Sequence, residues 1–227
     1  MYIRQVNPVY FITGTGTGAG KTVLAALCVR YLRRQGIAVA GLKPICSGGR
    51  DDARALAAAG DHALPLDAVN PWHFRAPIAP ALAARKEKRS VSLSHVVAHV
   101  RAMRQQVDAL VVEGAGGLLS PLGKDFDSRD LLLSLRARPI IVAPNILGTI
   151  NPLRLTLEAL PPRYRRAAKV VLMAPKRPDA ATPSNAKLLG EFFDPGKIFQ
   201  LPRLDPPLRA NAIETRQVRA TLSRLLA

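Results

Sequence analysis

Cysteines and long apolar runs are scarce in this sequence of 227 residues. It has only two cysteines, and no apolar run is long enough to span a membrane. The first ten residues, MYIRQVNPVY, lack the apolar core and cleavage site of a secretory signal. These absences argue against a disulfide scaffold and a membrane partner. We expect a cytoplasmic protein with reduced thiols.

Acidic residues are also few, with 16 Asp and Glu against 33 Lys and Arg, giving a net charge of +17. A charge of this size can indicate nucleic-acid binding. However, the basic residues are scattered over predicted helix faces and ends, without interleaved aromatic residues or a nucleic-acid motif. We therefore expect no nucleic-acid partner. The charge would instead attract anionic ligands such as nucleoside triphosphates.

The remaining composition, with 48% hydrophobic residues, suits a single α/β domain over residues 1–227. Strand-like runs alternate with helical stretches, which predicts a mostly parallel sheet with helices on both faces. The predicted strands are Val9–Thr13, Ala38–Lys43, Ala109–Glu113, Pro139–Ala143, Lys169–Ala174 and Lys197–Leu201. The predicted helices are Thr22–Gln35, Asp51–Ala59, Ala79–Lys86, Ser94–Val107, Ser128–Arg136, Pro152–Leu160, Ser184–Phe193 and Thr215–Leu226.

The segment GTGTGAGKT, from Gly14 to Thr22, lies between the first predicted strand and helix. It is one residue longer than the phosphate-binding pattern G-x-x-x-x-G-K-[ST]. A strand, a glycine-rich loop and a helix in this order favour a nucleotide site over an incidental turn. Loop N–H groups can surround phosphates, Lys21 can reach a β- or γ-phosphate, and the Thr22 hydroxyl can bind Mg²⁺.

Polar side chains also follow other predicted strands. Lys43 and Ser47 stand where the second predicted strand ends, Asp52 is at the start of the next helix, and Glu113 ends the strand before a glycine turn. Ligands of such sheets bind beyond the carboxyl ends of the strands. The oxygens of Thr22, Asp52 and Glu113 suit Mg²⁺, and two lysines can stabilise charge during phosphoryl transfer. The pattern predicts transfer from a triphosphate to an anionic acceptor.

Several motifs, in order and at matching spacing, resemble the dethiobiotin synthetase family from about Tyr10 to Leu204. They are TGTGTGAGKT, GLKPICSG, DDA, VNPWHFRAPIAP, VVEGAGG, SPL, LGTIN and LPRL. The longer phosphate loop is that family's form. The resemblance implies a Rossmann-like P-loop fold and a homodimer. It also implies that CO₂, 7,8-diaminopelargonate and MgATP are converted to dethiobiotin, ADP and phosphate through a phosphorylated carbamate.

The resemblance also assigns residue roles. It implies catalytic Lys21, Lys43 and Ser47, together with a Mg²⁺ site at Thr22, Asp52 and Glu113. The implied ATP-binding residues are Gly16, Thr17, Gly18, Ala19, Gly20, Lys21, Thr22 and Val23. The implied substrate-binding residues are Ser47, Gly116, Gly117, Thr149, Ile150 and Asn151, the last three reaching across the dimer.

Two alternatives remain at the sequence level. One is another carboxylate-activating P-loop ligase, although a glutamine-dependent one would need an additional domain. The other is a ParA- or MinD-like regulatory ATPase, which carries a lysine early in its loop where this chain has Gly16. One departure from the resembled family is Ala174-Pro175, where relatives often place an asparagine that reads adenine. We therefore expect weaker discrimination among ATP, CTP and GTP than a side-chain amide would give.

Overall fold

Six parallel strands form the central sheet of the computed structural model, which describes residues 7–204 and 215–227. Their bounds are β1 Val9–Gly14, β2 Val39–Leu42, β5 Ala109–Glu113, β6 Arg138–Pro144, β7 Lys169–Met173 and β8 Ile198–Leu201. The runs of β-branched residues predicted these six strands, with small differences at their ends. In spatial order the sheet runs β2-β5-β1-β6-β7-β8.

Helices cover both faces of the sheet, as the alternating pattern predicts. Because successive strand residues point to opposite faces, Phe11 packs into one core cluster and Ile12 into the other. The cluster around Ile12 contains side chains of α1 (Lys21–Arg34), α2 (Asp51–Ala59) and α10 (Arg216–Leu226). The cluster around Phe11 contains side chains of α4 Pro80–Lys86, α5 Leu93–Arg104, α6 Ser128–Ser134, α7 Ile150–Glu158 and α9 Asn185–Leu189.

A second, two-stranded parallel sheet pairs β3 (Ile45–Ser47) with β4 (Trp72–Phe74). Neither segment is among the strands predicted from the sequence. Each strand has only three residues, too few for a periodic pattern to appear. Their pairing joins segments 27 residues apart in register, Ile45 with Trp72, so it depends on tertiary contacts.

Helix ends show further differences. The predicted Ser184–Phe193 helix is shorter, ending before Gly190, and a 3₁₀ turn follows at Pro195–Lys197. Helix α7 begins at Ile150, two residues before Pro152, because proline is tolerated in a first turn whose N–H groups have no helical partner. Two short helices, α3 (Leu66–Val69) and α8 (Pro162–Ala167), were not predicted.

No helix within the described ranges is both long and apolar enough to cross a bilayer.

Candidate active site

The carboxyl ends of adjacent strands β2, β5 and β1 bring the predicted polar residues together. Lys43 follows β2, Glu113 is the last residue of β5, and the glycine-rich loop follows β1. Parallel strands end at the same edge of a sheet, which is why residues 70 positions apart meet there.

The loop between β1 and α1 has the backbone of a phosphate-binding loop. Gly18 and Gly20 have φ angles of +76° and +98°, in the left-handed region that glycine adopts without strain. A Cβ on Gly14 would lie 2.9 Å from the Val142 carbonyl oxygen, so no larger residue fits there. Lys21 Nζ donates a hydrogen bond to the Gly16 carbonyl at 2.7 Å, which holds the ammonium beside the loop.

Lys43 is the central cation of the site and is 3% exposed. Its ammonium lies 2.6 Å from Glu113 Oε1 and 3.1 Å from Asp52 Oδ2, and it donates to the Gly114 carbonyl at 2.9 Å. The three acceptors come from β5, α2 and the turn after β5. A buried ammonium with three such partners is held in one place as a charged group.

The pKa values of the four ionisable side chains in this cluster follow from burial and from these contacts. Burial lowers the pKa of Lys21 to about 8, with Lys43 as a further cause. Burial alone would lower the pKa of Lys43, but Glu113 and Asp52 outweigh it and raise that pKa. For Asp52, burial is outweighed by Lys43 and by a hydrogen bond with Thr22, and its pKa falls. Burial raises the pKa of Glu113.

The oxygens of this cluster suit a hard divalent cation. Thr22 Oγ1 donates to Glu113 Oε1 at 2.9 Å. Asp52 is near the same two residues, since its carboxylate contacts the Lys43 ammonium and the Thr22 side chain. Glu113 Oε2 is buried and accepts no hydrogen bond from the described residues. One hydroxyl and two carboxylates are too few to enclose a metal ion alone. They match the partial protein shell of Mg²⁺, which keeps waters and takes phosphate oxygens.

A cleft of about 680 Å³ opens above this cluster, large enough for a nucleotide and a small substrate. Its walls include the apolar segment Pro77–Pro80 and the Ser120–Pro121 turn. Ser47 faces the cleft, and its hydroxyl donates to the Ile78 carbonyl. The sequence-predicted residues that line the cleft are Thr17, Gly18, Gly20, Lys21, Thr22, Val23, Lys43, Ser47, Asp52, Glu113 and Gly116.

Other predicted site residues do not line this cleft. Ala19 is buried, and the Gly117 amide donates to Ser120 Oγ at 2.8 Å. Gly16 contributes its carbonyl to Lys21. The segment Thr149–Asn151 begins α7, outside the cleft lining. Its Thr149 hydroxyl is buried without a hydrogen-bond partner among the described residues, whereas Asn151 is exposed.

Sequence reasoning missed Asn70, a buried residue that shapes the Lys43 segment. Its Nδ2 donates to the Lys43 carbonyl at 2.6 Å, and the Arg50 guanidinium donates to the Asn70 carbonyl at 2.9 Å. Asn70 Oδ1 also accepts from Cys46 Sγ, 3.1 Å away. The only sequence signal was its place at the start of NPWHF, which the resemblance treated as a family marker.

Ala174 follows the end of β7 without offering a side chain that can read a base. Its N–H donates to the Leu201 carbonyl at 3.0 Å, so this amide is already used by the sheet. Met173, the last residue of β7, lies against Gly20 of the phosphate loop. Ala174-Pro175 therefore offers no side-chain amide at the place where the resembled family often has an asparagine.

The sequence matches a known family model and several known enzymes. A family model described as an AAA domain matches residues 9–207. The ATP-dependent dethiobiotin synthetase of Anaeromyxobacter dehalogenans is 44% identical over 181 residues, covering 78% of this chain and 81% of that protein. The enzyme of the same name from Ralstonia nicotianae is 34% identical over 215 residues, covering 90% and 94%.

Solved structures that resemble this one include more distant proteins. A ParA family ATPase from Chlorobium tepidum superposes with a TM-score of 0.60 at 15% identity, covering 95% of this chain and 97% of that one. The MinC:MinD cell division complex of Aquifex aeolicus superposes with a TM-score of 0.61 at 16% identity, covering 96% of each chain. At these identities the likeness concerns the fold alone.

Proposed function

The chain belongs to the family of ATP-dependent dethiobiotin synthetases, and we propose that its cleft carries out the reaction of that family. CO₂ and one amine of 7,8-diaminopelargonate form a carbamate, and ATP phosphorylates it. The second amine then attacks the activated carbon, closing the ureido ring and releasing phosphate. The meeting of Lys21, Lys43 and Glu113 at one sheet edge is the observation that carries the proposal.

The phosphates of ATP would lie in the loop Gly16–Val23. Its N–H groups and the start of α1 supply donors and a favourable dipole for anions. Lys21 would exchange its hydrogen bond with the Gly16 carbonyl for one with a phosphate oxygen. Burial lowers the pKa of Lys21 to about 8, and a phosphate oxygen beside its ammonium would stabilise the charged form.

Thr22, Asp52 and Glu113 would hold Mg²⁺ with the phosphates of ATP. Bound there, the ion would neutralise phosphate charge and favour an orientation suited to transfer. The free Oε2 of Glu113 and the hydroxyl of Thr22 support this assignment. The other oxygen of Glu113, Oε1, contacts both the Lys43 ammonium and the Thr22 hydroxyl, so these contacts orient the carboxylate.

Lys43 would stabilise the charge that develops as the phosphoryl group passes to the carbamate. Its ammonium is buried, charged and held by three oxygens. Such preorganised charge acts strongly in a site from which water is excluded. Ser47, on the facing wall, would orient the reacting groups through its hydroxyl oxygen, together with the glycine turn at Gly116 and Gly117.

The substrate carboxylate would be bound by Thr149, Ile150 and Asn151 of a second subunit. This segment does not line its own cleft, and exposed apolar side chains surround it. Leu147 is 77% exposed and Leu155 is 63% exposed, as expected where a partner surface packs. These features support a two-fold homodimer with substrate sites at the interface. Both cysteines are free, which supports a cytoplasmic location.

One assay tests the proposed function against the alternatives. Purified protein with MgATP should release phosphate only when both 7,8-diaminopelargonate and bicarbonate are present, and dethiobiotin should form in equal amount. A ParA- or MinD-like ATPase would hydrolyse ATP without the diamine. A ligase with another substrate would show no diamine-dependent release, and either result would overturn the proposal.

A further inference from the structure

We propose that Asn145, Asp179, Thr182 and Asn185 form a clamp that positions the substrate loop, residues 146–151, by tying it to the loop that follows β7. The assignment of the substrate loop rests on the proposed function. The clamp side chains are outside the cleft, so they would act on the substrate through Thr149–Asn151. They are positioning residues, not catalytic ones.

The clamp begins at the carboxyl end of β6. Asn145 Nδ2 donates to the Thr182 carbonyl at 3.1 Å, and the Thr182 hydroxyl donates back to the Asn145 carbonyl at 3.0 Å. Asn185 Nδ2 donates to Asn145 Oδ1 at 2.9 Å and to the Ile146 carbonyl at 3.0 Å. Four hydrogen bonds therefore join two segments that are about 40 residues apart in sequence.

These hydrogen bonds stabilise the two segments together because both amide side chains are buried. Asn145 and Asn185 are each only 3% exposed, and a buried amide without partners costs about 1–3 kcal/mol. Asn145 bonds Thr182 and Asn185, with a longer 3.5 Å contact to Gln200 Oε1 on β8, and Asn185 bonds Asn145 and the Ile146 carbonyl. Moving the two segments apart would leave both amides without these partners. The loops are thereby specified as a pair.

Asp179 holds the tip of the substrate loop. Leu147 N–H donates to Asp179 Oδ2 at 2.7 Å, while Asp179 Oδ1 accepts from the amides of Ala181 and Thr182. The Leu147 hydrogen bond, followed by those from Thr182 and Ala181, lowers the pKa of Asp179. The Leu147 side chain is 77% exposed, so apolar packing within this chain does not anchor the tip.

The two oxygens of Asp179 have separate roles, which allows a selective test. In Asp179→Asn the amide oxygen can keep the local turn with Ala181 and Thr182, while its NH₂ group faces the Leu147 N–H. Two donors cannot bond each other, so only the contact between the loops is lost.

Asp194→Asn is the matched control. Asp194 Oδ1 accepts from the Gly196 amide at 2.9 Å, so like Asp179 it bonds an amide two residues further along the chain. Asp194 is also exposed. Asp194 lies at the 3₁₀ turn before β8. Within the described residues, its hydrogen bond and ion pair involve Gly196 and Lys197, not the substrate loop.

The first measurement, amide hydrogen exchange, does not depend on activity. Peptides covering residues 145–151 should exchange faster in Asp179→Asn than in wild type, and should be unchanged in Asp194→Asn. Equal protection in all three proteins would show that the contact does not order the loop and would overturn the clamp. This readout stands even if the wild-type protein shows no diamine-dependent phosphate release, a result that would overturn the proposed function separately.

The second measurement is kinetic. Asp179→Asn should raise KM for 7,8-diaminopelargonate about five- to tenfold, the scale of one lost charge-assisted hydrogen bond, with kcat and ATP affinity within about twofold. Thr182→Ser, which keeps the hydroxyl, should remain close to wild type. In an Asn151→Ala background Asp179→Asn should add little, because both changes act through one loop. Full additivity, or a KM equal to that of Asp194→Asn, would overturn the positioning role.

Discussion

At the scale of single residues, Lys43 is the buried cation at the centre of the candidate site. It is a buried cation in contact with two carboxylates and a carbonyl, and each partner comes from a different element. A buried charge is costly unless it is paired, so removing one partner leaves the other as an unpaired buried charge and destabilises the protein. Changes at Lys43 therefore need a measure of stability beside a measure of activity.

Lys43→Ala should lower kcat by about 10²–10³, because charge developing in the transition state loses a fixed cation, while ATP affinity changes little. Steady-state kinetics, ATP titration and thermal unfolding would be compared with Lys124→Ala, which removes an exposed lysine. An unchanged kcat with weaker ATP binding would reassign Lys43 to ground-state binding.

Glu113→Gln preserves shape but removes a negative charge from the proposed metal ligands. The Mg²⁺ concentration for half-maximal activity should rise, by about tenfold if the loss is near 1.4 kcal/mol. Glu191→Gln, at an exposed position, should leave the titration unchanged. A Mg²⁺ titration of Glu113→Gln that overlays the wild type would remove Glu113 from the metal site.

At the scale of elements, the small β3–β4 sheet positions one wall of the cleft, and the end of β7 lies against the phosphate loop. Strand β4 leads to the Pro77–Pro80 segment that lines the cleft, and Asn70, just before β4, hydrogen-bonds the backbone of Lys43. Strand β7 ends at Met173, which lies against Gly20 of the phosphate loop, and the chain continues into Ala174-Pro175.

Asn70→Ala should destabilise the protein by about 1–3 kcal/mol, since it leaves the buried Lys43 carbonyl without its donor, and should also lower kcat. Asn7→Ala offers a comparison, because Asn7 Nδ2 donates to the Val107 carbonyl at 2.6 Å, away from the cleft. Denaturant unfolding and kinetics would separate the two effects. If both variants lose stability and neither loses kcat, Asn70 is structural only.

The apolar end of β7 bears on the choice of nucleotide. A site that hydrogen-bonds a base edge through buried groups rejects analogues strongly, whereas an apolar wall does not. With Ala174-Pro175 there, we expect weak discrimination among ATP, CTP and GTP in competition assays, and a sharper ATP preference in Ala174→Asn. Strong preference for ATP in the wild type would mean that backbone groups elsewhere read adenine.

At the scale of the whole molecule, each substrate site of the proposed dimer is completed by residues of both subunits. The exposed apolar residues beside α7 and the absence of Thr149–Asn151 from the cleft lining of the described chain both favour a substrate loop that serves a partner. In a two-fold dimer each site would then take Lys21 from one subunit and Asn151 from the other.

Mixing Lys21→Ala and Asn151→Ala subunits tests this arrangement. Each pure variant carries a defect in both sites, but a mixed dimer has one site with both defects and one intact site. Random re-pairing makes about half the dimers mixed, so activity should recover to about a quarter of wild type. The variants would be unfolded and refolded together, with subunit exchange verified. Activity equal to the mean of the separate variants would place Asn151 in its own subunit's site or in none.

The sequence by itself determined the six main strands, most helices and the phosphate loop. It also predicted that Lys43 and Glu113 share an edge. Those predictions succeed because strand periodicity and glycine turn chemistry are local, and because parallel strands always align their carboxyl ends.

Only the tertiary structure decided the β3–β4 pairing, the hydrogen bonds of Asn70 and those between Asn145 and Asn185. It also showed that the Gly117 amide is taken up by Ser120. Each of these depends on partners brought together by folding. Short polar side chains carry no periodic signal that names their partner, and their hydrogen bonds exist only when distant segments bury them together.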